Sequence, residues 1–218
     1  MALQECGLNL NQVSKELQPH GTIDFPCAGY ASFHTEREED IIPWHWHDEM
    51  ELVYMAEGKM NVKTPSESFL LERGDLVAIN SNVLHYASAV GECRLHSLVF
   101  SPLLVTGNDN SIYAKKYIQP LISCNSFSGL FIGIGIKDVS VWFNTAFEAL
   151  AQDTRGFEFI VRENLSRICF YLYEQFEQQL SEKERPLNQD NLRLRKMLEF
   201  IHKNFADSLS LADISNSA

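Results

Sequence analysis

The hydrophobic period changes near residue 110, and that change limits the folds open to this chain more than any other feature. Between residues 20 and 105, short apolar runs such as "MELVYMAEGKMNV", "SFLLERGDLVAI" and "CRLHSLVF" follow one another at strand-like spacing. Turn formers cut them, and Glu57-Gly58, Arg73-Gly74-Asp75 and Asn80-Ser81-Asn82 read as turns. Several runs are apolar on both faces, with Met50, Leu52 and Tyr54 on one side and Val53 and Met55 on the other. Both faces of such a sheet need a cover, from a second sheet or from helices. The expected architecture is therefore mainly β with α, opening as an all-β sandwich or barrel.

After residue 110 the spacing becomes helical. Val139, Phe143, Phe147 and Leu150 share one face, as do Val161, Leu165, Ile168, Leu172 and Phe176, with Cys169 and Tyr173 widening the second stripe. The pattern predicts a long helix from about 156 to 180 that packs on the sheet. Apolar surface left exposed on such a helix would suit pairing with its own copy, so an antiparallel helical dimerisation element and a homodimer are expected. "SEKERPLNQD", residues 181–190, is polar and carries a proline, as a linker does. Leu194, Leu198, Ile201 and Phe205 then mark an amphipathic helix. In "DSLSLADISNSA", Ser210 with Asp213 three residues on forms a capping-box pattern that opens another helix. The chain stops inside that helix, which reads as a piece of a longer domain. The expected organisation is 1–110 β-rich domain, 111–180 helical region, 181–190 linker and 191–218 the start of a further all-α domain.

Charge separates the same parts. Residues 1–190 hold 14 basic and 26 acidic side chains, and residues 191–218 hold four basic and three acidic, which together give the net −11. A body this acidic does not bind polyanions with its whole surface. The five cysteines are scattered without a close pair, as in a reduced cytoplasmic protein. No run of 18 apolar residues suggests a membrane span, and the N-terminus lacks the basic start and apolar block of a secretory signal.

The chemistry concentrates in "HWHDEMELVYMAEG", residues 45–58. Residues two apart on a strand share a face, so His45 and His47 point together and Trp44 and Trp46 point away. Glu51 can return on the next strand, and His85 follows the Asn80–Asn82 turn where a third strand could bring it alongside. Three imidazoles and a carboxylate would suit a Zn, Ni, Mn or Fe ion. They would equally serve as polar groups lining a ligand pocket. His20, His34, His96 and His202 show no such grouping and read as surface or satisfied core residues.

The spacing resembles the cupin motifs. His45-x-His47, three residues, Glu51, six residues and Gly58 match the first, and Gly74 and His85 match the second. Asn80 and Asn82 stand where the second motif has Pro and Gly, Ala89 where it has its late Asn, and Glu39 where the first has its leading Gly. Together with "LRKMLEFIHKNFADSLSLADISNSA" at the tail, the chain resembles AraC/XylS-type transcription regulators, with Ser215 where that family usually has Ala. The resemblance implies a double-stranded β-helix (jelly-roll) barrel that holds a small-molecule effector such as a sugar. It also implies the opening of a helix-turn-helix domain that binds operator DNA in the full-length protein. His45, His47, Glu51 and His85 are then the expected effector-binding residues and the expected ligands of any divalent metal, with no catalytic residue. The alternative is a metal-dependent cupin enzyme, a dioxygenase or an isomerase.

Overall fold

The computed structural model describes residues 3–180, 196, 197, 200, 201, 204 and 209–216. Seven strands form the sheet: β1 Cys27–His34, β2 Ile42–His45, β3 Met50–Lys63, β4 Ser68–Glu72, β5 Leu76–Ile79, β6 His85–Phe100 and β7 Gly129–Ile132. Their order is β1-β6-β3-β5-β7, with β2 also on β6 and β4 also on β3. Every pairing is antiparallel.

The two long strands carry the sheet from one layer into the other. Met50–Met55 of β3 pairs with β5 and with the far half of β6, whereas Lys59–Lys63 pairs with β4 and the near half of β6. Between the halves the register slips at Met55, Glu57 and Lys59. The expected turn at Glu57-Gly58 is therefore corrected: it is a bulge inside one continuous strand. Gly58 adopts φ +77 there, and a Cβ on it would stand 2.2 Å from the Glu92 carbonyl oxygen. Only glycine meets both demands without strain. The bulge also flips the facing of β3, so that Val53 and Met55 before it and Met60 and Val62 after it all enter one core. The expected turns at 73–75 and 80–82 do form, with Gly74 at φ +93 and Asn82 at φ +64.

The expectation that both sheet faces are covered holds. One core fills the barrel with Val53, Met55, Met60, Leu71, Ile79 and Leu95. The other lies outside, where Met50, Leu52, Leu98 and Phe100 meet the helices. After β6 come α1 Leu103–Thr106, a π turn at Ala114–Ile118 leading into α2 Gln119–Ile122, then α3 Lys137–Ala151 and α4 Phe157–Leu180. The helical stripes read from the sequence are the buried ones: Val139, Phe143, Phe147 and Leu150 on α3, and Val161, Leu165, Ile168, Leu172 and Phe176 on α4. Each such side chain contributes roughly 1.5–3 kcal/mol of transfer free energy.

One strand interrupts the stretch expected to be helical. β7 extends the sheet beside β5, and Asn80 ties this region down by donating its Nδ2 hydrogens to the carbonyls of Ile122 (3.1 Å) and Phe127 (3.0 Å). The five cysteines are free, in line with scattered thiols. The linker at 181–190 lies outside the described residues, as do Leu194, Leu198, Phe205 and His202. Lys196, Met197, Phe200, Ile201 and Asn204 are helical, and a further short helix spans Leu211–Asn216. The capping box forms as read: Ser210 Oγ accepts from the Asp213 amide (3.2 Å) while Asp213 Oδ2 accepts from the Ser210 amide (3.0 Å).

Candidate functional site

β2, the bend after it, β3 and β6 bring the four expected groups together. His45 closes β2 and pairs in register with His85, the first residue of β6. Asn82 sets up that meeting. Asparagine tolerates the left-handed backbone that the cupin motif assigns to glycine, and the Asn82 amide donates to the His47 carbonyl (2.9 Å). The His45 and His85 ring centroids lie 4.1 Å apart, and those of His47 and His85 lie 5.1 Å apart. Glu51 Oε2 stands 3.1 Å from His85 Nε2 and 3.6 Å from His47 Nε2. All three imidazoles are buried. Trp44 and Trp46 point away as expected, the first half-exposed and the second buried beneath the N-terminal segment.

The hydrogen bonds orient these rings. Nδ1 of His45 faces the Pro43 carbonyl (2.9 Å), that of His47 the Glu49 carbonyl (3.2 Å) and that of His85 the Val83 carbonyl (2.8 Å). A carbonyl only accepts, so each Nδ1 carries a proton and each ring turns its Nε2 inward. Nε2 of His47 and of His85 has no hydrogen-bond partner in this arrangement. This is how proteins commonly prepare histidines as metal ligands, with the outer nitrogen fixed by an acceptor.

Without a cation the site must hold its charge by protonation. Burial alone would push His85 down, but the Glu51 carboxylate against it reverses this and holds its pKa above the ordinary value. Burial likewise raises Glu51, yet the His47 and His85 rings outweigh it and hold the carboxyl well below the usual range. His45 goes the other way: burial, helped by the neighbouring His85, lowers it to about 3.

Two further groups enter the cluster that the spacing did not reveal. The N-terminal segment crosses β2: the Trp46 amide donates to Ser14 O (3.0 Å), the Glu16 amide to Trp46 O (2.9 Å), and the Trp46 indole to Val13 O (2.9 Å). This crossing sets Glu16 beside the histidines, with Oε2 3.4 Å from His20 Nε2 and 3.9 Å from His45 Nε2. The reading of His20 as a surface or satisfied core residue is thus corrected. It is buried, its ring centroid lies 5.1 Å from that of His47, and its Nε2 has no hydrogen-bond partner. The one signal in the sequence is local: Asn11 Oδ1 accepts from the amides of Val13 and Lys15, a turn that "NQVSK" could have suggested. His34 is satisfied on both nitrogens by Asp40 O and Ser32 Oγ, and His96 stacks on Phe147 on the helix side of the sheet.

These groups help to line a cavity of about 460 Å³. Val53, Met60, Val62, Leu95 and Val99 supply apolar wall. The size and the mixture of apolar wall with a few convergent polar groups are those of small-molecule sites.

Fold and cluster together define a cupin-like domain followed by helices. Residues 33–100 match the family described as a cupin domain. Over 214 residues the chain is 25% identical to the uncharacterized HTH-type transcriptional regulator YdeC of Bacillus subtilis, covering 95% of this chain and 72% of that protein. Among solved structures, an apo ToxT variant from Vibrio cholerae superimposes with a TM-score of 0.50 at 10% identity, covering 91% of this chain and 71% of that one, a likeness of fold. The resemblance to cupin-bearing helix-turn-helix regulators, drawn first from motif residues, is borne out by these matches.

Proposed function

We propose that the chain is the sensing portion of an effector-responsive transcription regulator. Small-molecule binding in the barrel would bias the arrangement of a helix-turn-helix domain that residues 191–218 open. The supporting observation is that one chain joins a cavity lined by the buried histidines to similarity along 95% of its length with an HTH-type regulator. Operator DNA is then the partner of the full-length protein. Action on DNA implies a cytoplasmic protein, and no helix among the described residues is long and apolar enough to cross a membrane. The outer faces of the helices would carry a homodimer contact.

The effector we propose is a small molecule bearing hydroxyl or carboxylate oxygens, a sugar being the simplest such class. Its oxygens would meet His45, His47, Glu51 and His85, and its carbon skeleton the apolar wall. The donor set also fits a divalent ion such as Zn, Ni, Mn or Fe, because His45, His47 and His85 can each offer a ligand atom within 4.8 Å of the others and the inward nitrogens of His47 and His85 have no hydrogen-bond partner. When bound there, the ion would polarise an effector oxygen. A metal-dependent dioxygenase or isomerase is the second reading, favoured by that same donor set.

Thermal-shift screening of sugars and other small polar metabolites tests the proposal. A true effector should raise the melting temperature of wild type and of His96→Ala, whose ring lies on the helix side of the sheet. It should not do so for His47→Ala or Glu51→Ala. Equal shifts in all four would remove the shared pocket, and turnover of a screened compound would favour the enzyme. Tight, sequence-specific gel shifts with this chain alone would overturn the assignment of DNA binding to the longer helix-turn-helix portion.

A further inference from the structure

The geometry points to a second, outer position for a borderline divalent cation, held by Glu16, His20 and His47, at which the ion ties the N-terminal segment to the barrel. The three residues can each offer one ligand atom within 4.8 Å of the others. Two imidazoles and one carboxylate form a donor set suited to Zn²⁺, Ni²⁺ or Co²⁺ rather than to Ca²⁺ or Mg²⁺.

The hydrogen bonds around His20 argue for a cation there. Tyr30 donates its hydroxyl proton to Gln4 Oε1 (3.0 Å), so toward His20 Nδ1, 2.8 Å away, the hydroxyl oxygen can only accept. Nδ1 is therefore the protonated nitrogen, and Nε2 of the neutral ring is a lone pair. That lone pair faces the Glu16 carboxylate oxygen at 3.4 Å, with the His20 and Glu16 side chains only 4% and 7% exposed. Two buried electron-rich atoms at this separation call for something positive between them, a proton or a metal ion. Tyr30 and Gln4 then act as the outer partners that fix a ligating histidine.

His47 limits the arrangement. Its Nδ1 is engaged by the Glu49 carbonyl, so only Nε2 is available, and one ion at a time can use it. The outer position thus competes with the inner set of His45, His47, Glu51 and His85. The outer position would join the N-terminal segment, which closes on itself at an isolated Leu10–Glu16 bridge and meets the residue after β2 through a single Lys15–Trp46 bridge, to the barrel. This proposal does not depend on the regulator reading.

Zinc titration of metal-stripped protein by calorimetry, repeated with Co²⁺ absorption, separates the two positions. Glu51→Gln/His85→Ala removes two inner ligands and should still bind one zinc ion. Adding His20→Ala to that variant should weaken the remaining binding at least tenfold. Absence of binding in Glu51→Gln/His85→Ala, with a folded circular dichroism spectrum, overturns the outer position, and so does indifference to the added His20→Ala. Wild-type affinity in Glu51→Gln/His85→Ala would instead count against the inner set while leaving the outer one standing. If these buried variants do not fold, limited proteolysis of wild type against Glu16→Gln decides. Zinc should slow cleavage before Pro26 in wild type and not in Glu16→Gln, and equal protection in the two overturns the proposal.

Discussion

At the scale of single residues, the histidines of the cluster divide by the company they keep. His45 has no close carboxylate at hydrogen-bonding distance and is held neutral to about pH 3, while His20 and His85, each against a glutamate, are held above the ordinary value. In both of the latter, burial opposes the shift and the glutamate outweighs it. Between about pH 6.5 and pH 3 the unfolded chain protonates its His45 and the folded chain does not. Stability therefore falls as pH falls through that window, by up to about 1.4 kcal/mol per pH unit. The contribution of His20 and His85 is fully present below about pH 6.5 and is lost as pH rises through their folded values. The metal-stripped protein should accordingly be most stable close to pH 6.5. Urea melts at pH 4.5, 6.5 and 9 check this, with His45→Gln expected to flatten the limb between 6.5 and 4.5, above the range where Glu51 adds its own acid loss. An unchanged acid limb in that variant would refute the burial of a neutral His45. The same scale shows what could be read early. His45, His47, Glu51 and His85 were legible because strand period and motif spacing both act over short distances. Glu16 and His20 were not, because backbone bonds to Trp46 bring them in from a segment with no periodic pattern.

At the scale of elements, β3 shows how one residue governs a whole strand. Glycine before a polar run reads as a turn, and the sequence alone offers no way to see that Glu92 and Cys93 of β6 press against it from the other side. An alanine at 58 would need a left-handed backbone and would clash with a carbonyl, so Gly58→Ala should cost about 1–3 kcal/mol in equilibrium denaturation. A loss under 0.5 kcal/mol would mean that the strand can straighten. β7 escaped notice for a different reason: its flanking glycines weaken any period, and it forms only because β5 offers an edge. The helices were legible because their stripes are long. Their outward faces raise the question of self-association. Phe159 is 82% exposed and Phe170 50%, three turns apart on one side of α4. If this face carries the homodimer contact, Phe159→Glu/Phe170→Glu should shift wild-type dimer to monomer in light scattering at tens of micromolar while changing folding stability by less than about 1 kcal/mol. A wild-type monomer at that concentration would remove the dimer.

At the scale of the whole molecule, the barrel and its helices form one cooperative body, because the sheet lies between two cores. Val77 and Ile79 face the barrel interior while Leu76 and Ala78 of the same strand face the helices. Anything that binds the folded cluster must therefore stabilise helices and barrel together. A cation at the cluster would bind only the folded form, since the ligands of either position come from separate segments, His45 and His47 with His85 or Glu16 and His20 with His47, and the unfolded chain holds no such set. At a free zinc concentration one hundred times its Kd, the gain is about 2.7 kcal/mol, which for a chain of this length raises Tm by roughly 5–10 °C. Circular dichroism at 222 nm, dominated by the helices, and tryptophan fluorescence, reporting Trp44 and Trp46 beside the cluster and Trp142 on α3, should shift by the same amount. Binding should also release protons, because the proton that each raised histidine shares with its glutamate must leave before the nitrogen can ligate, so the gain should shrink as pH falls below 6. A zinc-induced shift seen by fluorescence alone would mean that the barrel melts separately from its helices, and a coupling between cluster and helices would then have no physical carrier.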